Sequence, residues 1–353
     1  MLMETIIEPV DIRLIKAELT PERKLCDTGR GGNEIYVVDY HDSPNTVREI
    51  GRLREISFRS AGGSSGLSLD LDEWDTMEVP YRQMIIWDPD AEAIIGGYRY
   101  IFGPDVKFLE NGQPNLATSH MFHFSDEFIR EYLPHTMELG RSFVAPEYQS
   151  SKAGAKGIFA LDNLWDGIAA LILSHPSIMY FFGKMTMYPS YDRISRDLIL
   201  SFLWKHFPDM DSLVRPIEAV EPESDSSLIR LILSKDELKD DYRLLKEAVR
   251  NRGTSIPPLV NSYMNISPTM KMLGTAVNKE FSDVEETAIL VCFDEMFDDK
   301  KSRHVNTFLE ELHERARKRF PLLEPDFKER VFEHLKERRR SLLNRHKEKV
   351  GSI

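Results

Sequence analysis

Several carboxylates of this sequence occupy positions where they could bind or move protons. Glu138 lies in the run from Met137 to Val144, which we expect to form a central strand, and Asp72 and Asp75 lie in the acidic stretch DLDEWD at residues 70–75. A carboxylate placed beside an ammonium group can accept its proton directly or through water. The alternatives are a strand carboxylate paired with an arginine for Glu138 and a solvated loop for DLDEWD.

A glycine-containing loop at residues 149–157 (QSSKAGAKG) precedes an apolar helix that we expect from about residue 158 to 173. Gly154 and Gly157 allow close backbone approach, and the amide N–H groups at the start of a helix attract anions. A phosphate group would suit this loop, and the alternative is a plain surface turn. The side chains assigned to the same candidate site are Gln149, Lys152 and Lys156.

Three arginines and several aromatic residues accompany these groups. Arg99 and Arg141 lie on expected strands, where an unpaired guanidinium is costly to bury, so each needs a carboxylate or phosphate partner. One of them could pair with an aspartate of DLDEWD, and Arg54, inside an amphipathic helix, could join that ion network or lie at the surface. The aromatic residues that could line an apolar tunnel, or belong to the core, are Phe58, Trp74, Phe143 and Trp165.

The order of the expected elements indicates an α/β (α+β) fold with a mixed central sheet flanked by helices. A strand at residues 35–40 leads into a helix that ends near residue 58, with Ser43 or Asn45 as its cap. Later strands are expected at residues 81–87, 93–102 (a hairpin with the preceding strand), 137–144 and 178–186. Later helices are expected at residues 158–173 and 190–206. We predict a core at residues 1–216, an appended α/β lobe at 217–300 and a charged helical tail at 301–353.

Charge and composition exclude several classes of protein. The chain has 353 residues and a formal net charge of −12, which argues against a general nucleic-acid binder. No apolar run approaches the roughly 18 residues of a membrane span and the N-terminus does not suit a signal peptide, so we expect a cytoplasmic protein. The surroundings of Cys26 and Cys292 indicate no disulfide framework. The HxxH at His120 and His123 would place its side chains on opposite faces of a strand, so we expect no metal site.

The last segment reverses the sign of the charge. Residues 327–350 contain nine lysines and arginines and four glutamates. Such a surface could bind an acidic protein or an anionic membrane, and the second would place the chain peripherally on the inner face of the membrane. Alternatively, the glutamates pair with the basic residues along a solvated helix.

Short stretches in a fixed order carry a resemblance to known enzymes. Four of them together resemble the signature of the acyl-homoserine-lactone synthases. They are LRE at 53–55 with Phe58, DEWD at 72–75, GYR at 97–99 and ELGR at 138–141. The pattern looks closer to that of the bacterial hemolysin-like, amino-acid-lipid N-acyltransferases, because ELGR is followed by VxPEYQ, a glycine loop and LDNLWDGIAAL. SIPPL at 255–259 resembles their C-terminal part, so the resemblance covers about residues 35–295.

This resemblance implies a GNAT fold and an N-acyltransferase of aminolipid biosynthesis. Such an enzyme moves a long-chain fatty acyl group, with or without a 3-hydroxyl, to the amino group of an amino acid, glycine being our first choice and ornithine the second. The donor would be an acyl-phosphopantetheine thioester on acyl carrier protein or CoA, with no permanently bound cofactor. The loop lacks the arginine-rich Q/RxxGxG/A form of relatives that use acetyl-CoA, which suits a single phosphate better than a full CoA.

The candidate residues acquire roles in such a reaction. Glu138 would deprotonate the acceptor amine, while Asp72 and Asp75 would bind or deprotonate its ammonium form. Backbone N–H groups near Phe143 and Val144 would hold the tetrahedral oxyanion if the strand splays there. The remaining substrate-binding candidates are Arg54, Phe58, Trp74, Arg99 and Arg141. Two rival interpretations are a CoA-dependent N-acetyltransferase of small amines and a non-catalytic lipid-binding or membrane-peripheral protein.

Overall fold

The computed structural model describes residues 3–149, 154–319 and 326–351. The chain forms two compact units, each assembled from distant segments. The first contains Met1–Val106, Leu133–Met179 and Asp298–Ile353, and the second contains Lys107–Tyr132 and Tyr180–Phe297. The domain boundaries that we predict at residues 216 and 300 stay a prediction, and the two units are described separately below.

Strands and helices follow one another along the described residues as the sequence leads us to expect. The strands are β1 (Lys24–Asp27), β2 (Glu34–Val38), β3 (Arg82–Asp88), β4 (Ala93–Phe102), β5 (Phe122–Phe124), β6 (Thr136–Val144), β7 (Tyr180–Met187), β8 (Val214–Pro216), β9 (Lys271–Asn278) and β10 (Val284–Cys292). The helices are α1 (Ile12–Glu18), α2 (Pro44–Ala61), α3 (Glu73–Thr76), α4 (Pro146–Gln149), α5 (Gly154–Ser174), α6 (Arg193–His206), α7 (Ser226–Ile232), α8 (Leu238–Asn251), α9 (Pro258–Met264), α10 (Asp298–Arg319) and α11 (Phe327–Val350). This arrangement confirms the predicted α/β class.

The first unit is built on an antiparallel sheet in the order β1-β2-β3-β4-β6. The predicted hairpin is confirmed, since β3 pairs with β4 and Gln83 lies opposite Arg99. On β6, Glu138 lies opposite Ile101 and Gly140 opposite Arg99. Because side chains two residues apart on a strand share a face, Arg99 and Glu138 project from the same face of this sheet.

Helix α2 covers one face of this sheet through its apolar side. Its buried residues Val47, Ile50 and Leu53 pack with Ile85 and Phe143 in one hydrophobic cluster. Burying each such side chain contributes roughly 1.5–3 kcal/mol. The same packing holds the next residue of the helix, an arginine, against the sheet.

A distant carboxylate caps α2, which the sequence did not indicate. Ser43 occupies the N-cap position but makes no side-chain capping hydrogen bond. Instead, the Glu18 carboxylate accepts hydrogen bonds from the backbone N–H groups of Asn45 at 3.1 Å and Thr46 at 2.7 Å. Ser43 is thus the N-cap residue, as predicted, but the capping hydrogen bonds come from Glu18, because α1 delivers a charged acceptor to these donors.

The second unit contains an antiparallel sheet in the order β7-β10-β9 and the short pair β5-β8. Arg196 of α6 joins helix to sheet, because its Nε and Nη2 donate to the Glu285 carboxylate at 2.6 and 3.0 Å. Asp197 accepts backbone N–H groups of Glu223 at 3.0 Å and Ser224 at 2.8 Å. These bonds fix the loop before α7 against α6.

The two C-terminal helices belong to the first unit and attach to α5. His304 Nδ1 of α10 lies 2.6 Å from Asp166 Oδ1, and the other oxygen of Asp166 accepts the backbone N–H of Gly29 at 3.0 Å. Buried Arg339 of α11 donates to the backbone carbonyls of Ile172 at 3.3 Å and Ile178 at 3.0 Å. One cation of the predicted basic tail is thus used inside the fold.

None of the helices among residues 3–149, 154–319 and 326–351 has the length and apolar character needed to cross a membrane.

Replacing Asp166 tests how the C-terminal helices are held. In Asp166→Ala, His304 and the Gly29 N–H both lose their acceptor, and we expect the free energy of unfolding to fall by about 1–3 kcal/mol. Urea denaturation measures it. Glu333→Ala is the control, because it removes an exposed pair with Lys336 at 3.8 Å inside α11 and should cost less than about 0.5 kcal/mol. Equal stability of both variants would contradict this role of Asp166.

Candidate active site

A bulge between β4 and β6 shapes the candidate site. Gly97 pairs with Phe143 and Arg99 with Gly140, so β6 carries one extra residue between these positions. Within this bulge, Arg141 has a φ of +48°. A left-handed conformation of this kind costs a non-glycine residue about 1–2 kcal/mol. The contacts of the Arg141 side chain, given below, oppose this cost.

Phe143 and Val144 continue β6 just beyond the bulge. The Val144 carbonyl accepts hydrogen bonds from Ser57 Oγ at 3.2 Å and from Gln149 Nε2 at 2.6 Å. Gly96 must be glycine here, because a Cβ would lie 2.5 Å from the Phe143 carbonyl oxygen. The use of N–H groups near Phe143 and Val144 for an oxyanion stays a prediction.

Asp75 lies at the centre of a buried ion network. Its carboxylate accepts hydrogen bonds from Arg54 Nη1, at 3.2 Å to each oxygen, and from Arg99 Nη1 at 3.1 Å. Arg99 Nη1 also lies 2.7 Å from both oxygens of Asp72. The side chains of Arg54 and Asp75 are 0% exposed. These contacts confirm that Arg99 pairs with the acidic stretch and that Arg54 joins the network.

The spacing of Asp72 and Asp75 has a structural cause. Asp72 is the N-cap of α3 and accepts the backbone N–H of Asp75 at 3.2 Å, while Asp75 accepts that of Asp72 at the same distance. This reciprocal capping needs an acceptor at the first and fourth positions of a turn. Arg141 extends the network, with Nε 3.0 Å from Asp70 and Nη2 3.4 Å from Asp72. DLDEWD is therefore an organised part of the network rather than a solvated loop.

The arginines set the protonation of these carboxylates. Burial alone would raise the pKa of Asp75, but the guanidinium groups of Arg54 and Arg99 outweigh it and hold this pKa below its ordinary value. Burial raises the pKa of Asp70, although Arg141 and Arg54 oppose the shift. Burial also penalises the charge of Arg99, yet Asp72 and Asp75 raise its pKa. Asp75 is consequently a weak proton acceptor.

Glu138 is buried on the same face of the sheet as Arg99. It is 3% exposed, and the hydroxyl of Tyr81, just before β3, donates a hydrogen bond to its Oε2. The Arg99 guanidinium lies 5.1 Å from the centre of the Tyr81 ring. Arg54, Arg99 and Arg141 balance the three aspartates of the network in charge, so ionised Glu138 leaves the whole group with a charge of −1. Such a group favours an ammonium ligand.

Two residues of this site, Tyr81 and Gln83, were not predicted from the sequence. Tyr81 contacts Glu138, and the side chain of Gln83 links two charged residues. Gln83 accepts from Arg54 Nη2 and donates to Asp75 Oδ1 at 2.8 Å. The one signal for Gln83 is its register, since it lies opposite Arg99 on the neighbouring strand.

The aromatic candidates lie mostly in the core. Phe143 is buried in the cluster beneath α2, and Phe58 packs against that cluster while partly buried. Trp74 and Trp165 are half-buried, and the Trp74 carbonyl accepts the Tyr81 N–H at 2.8 Å. The core alternative describes Phe58 and Phe143, while an acyl tunnel at any of these residues stays a prediction.

Part of the predicted phosphate loop lies outside the described residues, which resume at residue 154. Gly154, Lys156 and Gly157 lie in the first described turn of α5, ahead of the helix start predicted near residue 158. Gln149 ends α4, and Lys152 lies outside the described residues. Phosphate binding by this segment stays a prediction.

No three histidine, cysteine, aspartate or glutamate side chains within the described ranges are arranged to hold a metal ion. His123 lies on β5 in the second unit. Cys26 and Cys292 are both buried thiols.

Substituting Asp75 tests whether the network stabilises the fold. Asp75→Asn keeps the shape but leaves Arg54 and Arg99 with less negative charge, and we expect a loss of about 3–5 kcal/mol in the free energy of unfolding at pH 7. Because the pKa of Asp75 is lowered by folding, its contribution is present above the unfolded value near 3.8 and is lost as the pH falls towards the folded one. The difference between wild type and variant should therefore shrink below about pH 4.

Asp11→Asn is the matched control for Asp75. Asp11 also accepts hydrogen bonds from an arginine, Arg13, and its pKa is lowered to about 2 by that side chain, yet it lies at the surface. Urea denaturation of this variant should match wild type. A cost for Asp75→Asn as small as that of Asp11→Asn would refute the stabilising role.

The comparisons with known proteins bear directly on this site. Residues 53–156, which include the second half of α2, the ion network and β6, match the family model described as an acetyltransferase (GNAT) domain. A protein of Bacteroides thetaiotaomicron named glycine N(alpha)-acyltransferase is 59% identical over 308 residues, or 87% of this chain and 91% of that protein. A protein of Phocaeicola vulgatus with the same name is 55% identical over 309 residues, or 88% and 95%. No solved structure matches the chain with significance.

Both relatives share more than half of their residues with this chain along most of its length. The matched domain contains Glu138 and Tyr81, and the match together with the two relatives favours an enzyme among the interpretations drawn from the sequence. A non-catalytic lipid-binding protein is not supported. The chain is an acyltransferase with a GNAT domain and belongs to the family of N-acyltransferases that includes these two relatives.

Proposed function

We propose that the chain transfers a long-chain fatty acyl group from acyl carrier protein to the amino group of glycine, giving the mono-acylated precursor of an aminolipid. The names of the two relatives support glycine as the acceptor, with ornithine as the second candidate. The observation that carries the proposal is the buried Glu138 carboxylate on β6 of the GNAT domain. A base is required there because glycine arrives as an ammonium.

Glu138 is the proton acceptor of this reaction. It takes a proton from the glycine ammonium, and the neutral nitrogen attacks the thioester carbonyl carbon. The C–N bond forms, and the nitrogen loses a second proton as the C–S bond breaks. One of the two protons passes through Glu138 to the departing thiolate, giving the free thiol, and the other is released to water. Backbone N–H groups near Phe143 and Val144 stabilise the tetrahedral oxyanion.

Asp72 and Asp75 serve the site in a different way. Asp75 is committed to Arg54 and Arg99 with a lowered pKa, so it orients those arginines instead of accepting a proton. Asp72 is partly exposed, with 22% of its side chain accessible, and attracts the ammonium at the edge of the network. Arg141 shares Asp72 and fixes its orientation.

The donor is the acyl-phosphopantetheine of acyl carrier protein. Its phosphate meets the first turn of α5, which contains Gly154, Lys156 and Gly157, and the further residues proposed to bind it are Gln149 at the end of α4 and Lys152. Exposed basic side chains of α11, among them Arg338 and Arg340, attract the acidic carrier. We place the protein in the cytoplasm or peripherally on the inner face of the membrane.

The variant Glu138→Gln tests the base. It keeps the size of the side chain but cannot accept a proton, so kcat should fall by about 100-fold to 10,000-fold. Single-turnover assays with radiolabelled glycine measure it. Glu34→Gln is the matched control, because Glu34 also accepts a hydrogen bond from a tyrosine, Tyr36, at 2.9 Å. Its activity should equal wild type, and wild-type activity of Glu138→Gln would disprove the role of Glu138.

The donor and acceptor are tested by competition. The purified chain is offered long-chain acyl carrier protein, the corresponding acyl-CoA and acetyl-CoA, each with glycine or ornithine, and products are measured by mass spectrometry. We expect N-acylglycine from acyl carrier protein as the fastest reaction. Turnover with acetyl-CoA alone would establish the rival N-acetyltransferase, and preference for ornithine would correct the acceptor.

A further inference from the structure

Tyr81 connects the proposed base to the buried ion network. Its hydroxyl donates to Glu138 Oε2, its backbone N–H donates to the Trp74 carbonyl at 2.8 Å, and the Arg99 guanidinium lies 5.1 Å from the centre of its ring. We propose that Tyr81 is the positioning residue of Glu138, which holds the carboxylate in its reactive orientation and in its ionised form. This inference rests on the function proposed above.

The orientation follows from the stiffness of the tyrosine. A glutamate side chain has three rotatable bonds, whereas a tyrosine has two and its ring is fixed by packing. Tyr81 is 1% exposed, and its backbone is tied to the turn that carries Asp75, because Gln83 Nε2 donates both to Asp75 Oδ1 at 2.8 Å and to the Tyr81 carbonyl at 3.4 Å. The hydroxyl is therefore a fixed donor, and the glutamate adjusts to it.

The ionised form of Glu138 follows from the charges around the pair. A hydrogen bond donated to a carboxylate favours its charged state. The guanidinium of Arg99 beside the ring adds positive charge at the side of the pair. During the reaction the ammonium proton moves to Glu138, and Tyr81 keeps its own proton throughout. Loss of the hydroxyl leaves the field of Arg99 in place but removes the donor, so Glu138 should protonate at a higher pH.

The test compares Tyr81→Phe with wild type over a range of pH in the full-length chain. With a long-chain acyl carrier protein and glycine, kcat should fall about 10-fold to 100-fold, and the acid limb of the kcat/KM profile should move up by about one to two pH units. The KM for the donor should stay unchanged. A purely structural role would lower the amount of active enzyme without moving the limb.

Tyr36→Phe is the matched control, because it removes the same kind of phenol–carboxylate bond, to Glu34, in the same sheet. Its pH profile should superimpose on that of wild type. In the double variant Tyr81→Phe with Glu138→Gln, activity should be no lower than in Glu138→Gln alone, because Tyr81 acts through Glu138.

An acid limb that does not move, or losses that multiply in the double variant, would overturn the role of Tyr81. Full activity of Glu138→Gln would instead overturn the function proposed for Glu138, so the two failures are distinct. Should Tyr81→Phe not fold, 3-fluorotyrosine at position 81 keeps the ring and the hydroxyl while making the hydroxyl a stronger donor. Its acid limb should then move to lower pH, and an unmoved limb would refute the proposal.

Discussion

A buried guanidinium must meet a carboxylate, and the first unit of this protein is arranged around that requirement. Arg54 can lie on the inner side of α2 because Asp75 reaches it from the turn at α3. Asp75 also holds the α3 turn against β4, because Arg99 of β4 donates hydrogen bonds to both Asp75 and Asp72. Removing Asp75 takes away the carboxylate that Arg54 contacts, and both of these side chains are 0% exposed. The geometry of the candidate site is therefore fixed by charge pairing as much as by apolar packing.

This fixed geometry explains how one carboxylate can differ from its neighbours in its tendency to accept a proton. Asp75 lies between two arginines and holds its proton weakly. Glu138 instead receives a hydrogen bond from a neutral tyrosine. The two carboxylates thus differ because the fold gives them different partners, and a carboxylate's partners determine how readily it accepts a proton. Under the proposed function, the first kind holds the site in shape and the second performs the chemistry.

The charged partner of Arg99 was predictable from the sequence, and the neutral residues Tyr81 and Gln83 were not. Arg99 on a strand required a carboxylate, and the acidic stretch DLDEWD offered one. Tyr81 and Gln83 carry no charge, so nothing in composition or spacing sets them apart from other strand residues. Backbone strain was equally hidden, since a positive φ is usually found at glycine, whereas here Arg141, which follows Gly140, adopts it. The cap of α2 by Glu18 depends on a contact between elements far apart in sequence.

Arg339 has a consequence for how a carrier protein can approach. It donates hydrogen bonds to the carbonyls of Ile172 and Ile178 at the C-terminal end of α5, while the donor phosphate is proposed to bind the first turn of that helix. With 21 residues at roughly 1.5 Å each, α5 separates these points by about 30 Å. A carrier that touches the cations flanking Arg339 must lie along the length of α5, and its prosthetic arm must enter from the opposite end.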